Sequence, residues 1–283
     1  MEIEGKTRTY AIIGNPIEHS LSPPMHNAAF KKLGMKCVYL AFKIYSKDLV
    51  NAIEGIKALN IDGFNVTIPH KIRIIALLDR VDMLAKQIGS VNTVKNSNGK
   101  LVGYNTDGDG ALTALTQAGA NPYNKKIVLI GAGGAARAIG YTLAPVSERF
   151  TILNRTEIKA KELAKRISQK FSLHVEGKVL SDNILVKELL DADILINATS
   201  MGMYPRVNTT PVKSKFLRPN LTVFDAVYNP LETKLLRAAK QRGAKTISGI
   251  NMLLHQGVKS FEIWFGTKPP IGVMSSALMN KLK

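Results

Sequence analysis

Four groups of residues in this chain have side chains and spacing suited to chemistry. Residues 64–71 read FNVTIPHK. Val66 and Ile68 alternate with Asn65 and Thr67 in the period of a half-buried strand. Pro69 stops the ladder, because it has no N–H to give, and His70 and Lys71 then stand at the strand's carboxyl end. A solvated surface lysine is the plain reading of Lys71, and an ammonium aimed at a ligand is the chemical one. His70 is the more conventional acid–base group by titration range. The two open a helix in this reading and point apart, so a given site receives only one of them. Earlier in the chain, GNPIEHSLSPPMHNAAF places Ser20 and Ser22 just ahead of a proline-opened helix. Two hydroxyls beside helix-start N–H groups can hold a carboxylate, although Ser22 alone is also a good N-cap.

The segment SVNTVKNSNGKLVGYNTD carries the third group. Asn98-Gly99 is a strong hairpin signal, because a type I′ turn needs positive φ at both central residues. With those two in the turn, Ser97 faces Lys100, and the register pairs Asn92 with Asn105. Asp107 then falls two residues further along the same face. An amide, a hydroxyl (Thr67) and a carboxylate arranged about an ammonium suit a polyhydroxylated ring acid.

The fourth group is GAGGAA, residues 131–136, after the apolar strand IVLI and at the start of a helix. It fits G-x-G-x-x-G/A: Gly131 for the tight turn, Gly133 for close approach to a pyrophosphate, Ala136 for helix–strand packing. A plain tight strand-to-helix turn is the alternative. The following strand, FTILNRT, ends in Asn154, Arg155 and Thr156, with Lys159 one turn on. An acid here would bind a ribose 2′-OH and repel a 2′-phosphate, whereas Arg155 can pair with that phosphate or stack on adenine. NADP is therefore expected over NAD. Glu157 on a ribose is the competing reading, but it lies past the strand end.

These residues need elements to hold them. The order of patterns is strand, helix, strand, helix almost throughout, the signature of a parallel α/β architecture, and 283 residues favour two domains. A helix is expected from Lys71 to about Lys86, and another over 108–119. The second unit is read as 127–144, the strand 150–156, a Lys-rich helix, then strands beginning near 192, 221 and 244. No apolar run approaches the ~20 residues of a membrane span. The single cysteine, Cys37, excludes an intrachain disulfide and a cysteine metal cluster, which points to a reducing cytoplasm. The net charge of +18 raises nucleic acid as a partner. The basic residues are spread along the chain, however, so small polyanionic ligands explain the charge at least as well. No nucleic-acid, membrane or metal partner is expected, and homodimeric assembly is.

Taken together, GNPIEHSLSPPMHNAAF, NVTIPHK, GSVNTV, GYNTDGDG, GAGGAARA, NRT, NATSMGM and GINMLLHQG, in this order, resemble the shikimate dehydrogenase family over residues 10–280. The resemblance implies an NADP-dependent oxidoreductase that reversibly reduces 3-dehydroshikimate to shikimate in aromatic amino-acid biosynthesis. It implies that Lys71 and Asp107 form the catalytic pair and that Ser20 and Ser22 hold the substrate carboxylate. Thr67, Asn92, Tyr228 and Gln256 would contact ring hydroxyls or line the site. Gly131, Ala132, Gly133, Gly134 and Ala135 would cradle the pyrophosphate, and Asn154, Arg155, Thr156 and Lys159 the 2′-phosphate end. Ala226, Gly249 and Met252 match positions against the nicotinamide, although the family commonly carries a larger apolar residue near Ala226. The implied fold is α/β in two domains, 1–107 with 250–283 for substrate and a Rossmann unit over 108–249, with the active site in the cleft between them. A quinate/shikimate dehydrogenase with relaxed NAD(P) use is the alternative within the family.

Overall fold

The computed structural model describes residues 3–282. The chain divides into two compact units, residues 1–106 with 256–283 and residues 107–255.

In the first unit the elements run β1 (Arg8–Gly14), α1 (Ser22–Lys32), β2 (Cys37–Lys43), α2 (Leu49–Ala58), β3 (Gly63–Val66), β4 (Arg80–Val81), α3 (Met83–Ile88), β5 (Thr93–Ser97) and β6 (Lys100–Tyr104). They build one mixed sheet in the order β2-β1-β3-β5-β6-β4. Period-two alternation sorts β1 between two cores. Ala11 and Ile13 join Leu49, Ile53, Ile56, Phe64 and Val66 on one face. Tyr10 points to the other face, among Phe30, Trp264 and Phe265. Gly63 has no room for a side chain, because a Cβ there would lie 2.6 Å from Trp264 Nε1. That indole N–H instead donates to the Val94 carbonyl at 2.9 Å, which satisfies a buried polar group of the sheet.

The helix expected from Lys71 to Lys86 does not form. A short 3₁₀ turn (Arg73–Leu77), β4 and α3 take its place. The cause is β6, which pairs with Arg80 and Val81 and accepts the Asp82 N–H at the Gly103 carbonyl, 2.8 Å. The Asp79 carboxylate accepts the Leu101 N–H at 2.7 Å. Asp82 then caps α3 by accepting the Leu84 N–H.

The second unit runs α4 (Asp107–Gln117), β7 (Lys126–Ile130), α5 (Gly134–Leu143), β8 (Arg149–Asn154), α6 (Glu157–Phe171), β9 (Val175–Val179), α7 (Asp182–Leu189), β10 (Ile194–Asn197), β11 (Thr222–Asp225), α8 (Lys234–Gln241) and β12 (Lys245–Ser248). The sheet is parallel throughout, in the order β12-β11-β10-β7-β8-β9. Counted from β7, this is the doubly wound dinucleotide-binding order, whose direction reverses between β7 and β10. The sequence reading passes from the Lys-rich helix straight to the strand near 192, whereas the structure adds β9 and α7. β9 is a short edge strand interrupted by charge, and its Glu176 and Lys178 form an ion pair at 2.6 Å. An edge strand needs no continuous apolar run.

Two helices follow, α9 (Gly249–Phe265) and α10 (Ile271–Lys281). α9 begins in the second unit and ends in the first, and α10 packs on α1. No helix among the described residues is long and apolar enough to cross a membrane.

Candidate active site

In the first unit β1 and β3 are parallel neighbours, with Ile13 opposite Val66. The loops leaving Gly14 and Val66 therefore emerge side by side. The Asn15 N–H donates to the Ile68 carbonyl at 2.8 Å, and the Thr67 N–H to that of Ile13 at 2.9 Å. A Cβ on Gly14 would fall 2.3 Å from Thr67 Cγ2, so only glycine admits this approach. Ser20 lies in the first loop and its Oγ accepts the Ser22 N–H at 3.3 Å. Ser22 is buried, and it is the first residue of α1 rather than its cap. Leu21 occupies the cap position and makes no side-chain cap bond.

The second loop carries Thr67 and Lys71, both half-buried. His70 is fully enclosed, and its Nε2 donates to the Ile44 carbonyl at 2.8 Å. The imidazole therefore anchors the loop from beneath. The Lys71 carbonyl is held by the Val91 N–H at 2.8 Å, next to Asn92.

The Asn98-Gly99 turn forms, with φ of 54° and 82°, and its register pairs Ser97 with Lys100 and Thr93 with Tyr104. The paired strands end there, one residue short of Asn92 and Asn105, and Asp107 does not continue the ribbon. It is the first residue of α4 and is buried. The side chains also differ from the ribbon picture, since Asn105 donates to the Ser90 carbonyl at 2.8 Å. Thr106 is what meets Asn92: its N–H donates to Asn92 Oδ1 at 2.8 Å, and Asn92 Nδ2 donates to Thr106 Oγ1 at 2.9 Å and to Gln256 Oε1 at 3.2 Å. Asn65, Thr93 and Ser260 surround this group. Asn65 Nδ2 donates to the Asn92 carbonyl at 3.0 Å, to Thr93 Oγ1 at 3.1 Å and to Ser260 Oγ at 3.0 Å. The sequence reading omits these three and Thr106, because a buried polar residue on a strand alternates just as a solvent-facing one does.

In the second unit Gly131 has φ of 123°, and a Cβ there would lie 3.0 Å from the Ala198 carbonyl oxygen. Ala132 is buried, while Gly133, the residue before α5, has nothing within 4 Å of the place a Cβ would take. Gly134 and Ala135 open the helix, whose first N–H groups meet no capping side chain. That open turn stands where the strand order reverses, and it fits a pyrophosphate. β8 ends beside it. Asn154 Nδ2 donates to the Thr156 carbonyl at 2.9 Å, and Thr156 precedes α6. Arg155 and Lys159 are exposed, with no ion pair among the described residues. Glu157 instead pairs with Lys161 at 2.8 Å. A strand end with two cations outside any ion pair, beside a glutamate already paired with Lys161, suits a phosphorylated ribose.

Ala226 and Gly249 are in contact, since a Cβ on Gly249 would fall 2.4 Å from the Ala226 carbonyl oxygen. Met252 is buried in the first turn of α9, and Tyr228 is half-buried in the loop after β11. Asp225 anchors that loop. Its carboxylate accepts from Asn197 Nδ2 at 2.9 Å, the Val227 N–H at 3.1 Å and Thr233 Oγ1 at 2.6 Å. Burial pushes this carboxyl up to about 6 against those three donors. No group of His, Cys, Asp and Glu among the described residues could hold a metal ion.

Three family models match this chain: the shikimate dehydrogenase substrate binding domain over residues 12–94, shikimate/quinate 5-dehydrogenase over 113–225, and the shikimate 5′-dehydrogenase C-terminal domain over 249–279. The shikimate dehydrogenase (NADP(+)) of Methanocaldococcus jannaschii is 48% identical over 281 residues, covering 99% of each chain. A crystal structure of a shikimate dehydrogenase in complex with NADP+ superposes with a TM-score of 0.91 at 46% identity, covering 100% of this chain and 98% of that one. The Thermus thermophilus shikimate 5-dehydrogenase in complex with NADP(H) and shikimate gives 0.86 at 33% identity, over 97% of this chain and 100% of that one. With both halves of the sequence matched and the parallel sheet in its doubly wound order, the chain belongs to the shikimate dehydrogenase family.

Proposed function

We propose that this chain catalyses the reversible NADPH-dependent reduction of 3-dehydroshikimate to shikimate, a step toward chorismate and the aromatic amino acids. The observation that carries the reading is likeness along the whole of both units to an NADP+ enzyme of that name, 48% identical over 281 residues.

In this reading Gly131 to Ala135 hold the pyrophosphate with backbone N–H groups, and Arg155, Thr156 and Lys159 hold the 2′-phosphate. Ala226, Gly249 and Met252 pack against the nicotinamide, and the missing Cβ of Gly249 lets the Ala226 carbonyl come close. Ser20 and Ser22 bind the substrate carboxylate, while Thr67, Asn92, Tyr228 and Gln256 fix the ring. Bound NADPH supplies the hydride to the carbonyl carbon at C3. Lys71 stabilises the oxygen as it gains charge and delivers the proton that completes the hydroxyl. Asp107 orients the ammonium and accepts from a substrate hydroxyl. In the reverse direction the amine takes the proton back as hydride leaves the ring.

Absorbance at the reduced-nicotinamide band tests this, with shikimate plus NADP, then plus NAD, then with quinate as substrate. Turnover with shikimate and NADP, and little with the other pairs, is expected. Comparable rates with NAD and quinate favour the relaxed quinate/shikimate reading, and no reduction in any mixture overturns both.

The single thiol, Cys37, is buried and unpaired, which suits a cytoplasmic enzyme. We also infer a homodimer. β2 is an edge strand with Leu40 and Phe42 exposed, and a second copy can extend such an edge. Sedimentation returning a monomer mass at micromolar concentration sinks that inference.

A further inference from the structure

Residues 197–203, NATSMGM, open on an asparagine that meets a buried charge. Asn197 ends β10 and Asp225 ends β11, and the two are register partners on parallel strands. Both are fully buried. Asn197 Nδ2 donates to Asp225 Oδ1 at 2.9 Å, while Asn197 Oδ1 accepts the Thr199 N–H at 3.1 Å and the Thr199 hydroxyl at 2.7 Å. Ala198 and Thr199 in turn wall the glycine turn, because a Cβ on Gly131 would lie 3.0 Å from the Ala198 carbonyl oxygen and 3.3 Å from Thr199 Cγ2. On the other side, Asp225 Oδ1 accepts the Val227 N–H, and the Ala226 N–H donates to the Asn197 carbonyl at 2.9 Å. A Cβ on Gly249 would fall 2.9 Å from the Asp225 carbonyl oxygen. Asp225 is thus one residue from Ala226 and in backbone contact with Gly249.

The groups that face this carboxylate are neutral. β10 presents Asn197, β12 presents Ser248 opposite in register, the start of α8 presents Thr233 and Leu236, and the loop after β11 presents the Val227 N–H. Burial raises the titration of Asp225, three hydrogen bonds lower it, and no neighbouring charge contributes. An asparagine would meet the same partners nearly as well, since Oδ1 takes two of the donors and an NH2 at the other end would face Thr233 Oγ1. The network needs acceptors there, and the charge is additional. A buried carboxylate with no cation beside it leaves a negative field that the interior screens poorly. The oxidised nicotinamide ring is cationic and the reduced ring is neutral, whereas their phosphates are the same. A fixed negative charge near the ring therefore tells the two forms apart.

We propose that Asp225 sets the balance between oxidised and reduced cofactor, its buried charge at the nicotinamide end favouring NADP+ over NADPH. Asn197 is then a positioning residue, which holds the carboxylate and ties it to the wall of the glycine turn. This deepens the reading of Ala226 and Gly249 as nicotinamide contacts, and rests on it.

The test measures the Kd of NADP+ and of NADPH on the full chain at pH 8 by titration calorimetry. Asp225→Asn keeps the size and the bonds to Oδ1 and removes the charge, so Kd(NADP+)/Kd(NADPH) rises at least ~3-fold. Thr233→Val disturbs the same network and keeps the charge, and it leaves the ratio within twofold. A loop merely loosened weakens both forms alike and does not move the ratio. In the unaltered chain the ratio rises between pH 8 and pH 5, because a carboxyl pushed up to about 6 takes its proton there and the shared 2′-phosphate cancels. An unchanged ratio in Asp225→Asn, or an equal rise in both variants, overturns the charge role while the assigned activity stands. If Asp225→Asn does not fold, a ratio in the unaltered chain that stays constant from pH 8 to pH 5 overturns it instead. An unaltered chain that binds neither form overturns the cofactor reading and, with it, the role of Asp225.

Discussion

Lys71 takes its place because Thr67, Ile68 and His70 before it are tied down. The Thr67 N–H donates to the Ile13 carbonyl and the His70 N–H to the Thr67 carbonyl, the His70 ring reaches the Ile44 carbonyl, and the Val91 N–H closes on the Lys71 carbonyl. The sequence could name both His70 and Lys71 as candidates. Residue type alone does not choose between them, and the family resemblance selects Lys71; the structure adds that the His70 side chain is swallowed by packing against the segment after β2. Replacing the ammonium with a methyl group leaves this backbone arrangement intact and removes the proposed proton donor. Lys71→Ala is therefore expected to lose several orders of magnitude in kcat while NADPH binding, read by fluorescence, is retained. Near-normal turnover refutes the assignment. Arg155 makes the complementary case at the other ligand: Arg155→Ala should raise the NADPH KM at least ~10-fold, as loss of a charge-assisted phosphate contact does, and leave the shikimate KM nearly unchanged. Equal effects on both constants count against a 2′-phosphate contact.

The hairpin and the phosphate turn show how far element-scale rules reach. Asn98-Gly99 fixes the β5–β6 register from local dihedral preference alone, and that register runs back to Thr93 opposite Tyr104. It stops there, since Asp107 is captured by α4 and not by the ribbon. The segment after Lys71 failed as a helix for a similar reason: pairing with β6 outweighs the helical spacing of its apolar residues. The glycine fingerprint was legible because backbone sterics, not distant packing, demand those residues. Gly131 combines φ of 123° with a wall at the Ala198 carbonyl. Gly131→Ala therefore strains the turn between β7 and α5, and should raise the NADPH KM at least ~10-fold with little change in the shikimate KM. An unchanged NADPH KM overturns the pyrophosphate role of this turn.

At the scale of the whole molecule, each unit buries a titratable group with its own effect on acid stability. His26 is fully buried against Tyr39 at a ring separation of 4.6 Å, and neither ring nitrogen has a hydrogen-bond partner. Burial pushes it down to about 3. It stays neutral when folded and charges when unfolded, so its contribution is intact above about 6.5 and is lost as pH falls from there toward 3. Asp225 runs the opposite way. Its raised value makes the folded state hold a proton that the unfolded chain releases, so its contribution is full below 3.8 and is lost as pH rises through about 6. His26→Leu should thus gain about 2 kcal/mol on the unaltered chain between pH 8 and pH 5, measured by urea unfolding. A gap between the two proteins that does not change with pH removes His26 from this account.

The sequence alone determined the alternation of strands and helices, the glycine-rich turn after β7, the cationic strand end proposed to favour NADP, and the identities of most side chains proposed for the site. Each of these follows from short-range sterics, periodicity or charge, which a few adjacent residues carry by themselves. Tertiary structure decided which of His70 and Lys71 is enclosed, where Asp107 sits, and how Asn92 meets Thr106 and Gln256, the latter 164 positions away in the chain. Buried hydrogen bonds between distant segments set those outcomes, because an unmatched donor or acceptor in the interior costs more than any local preference can return.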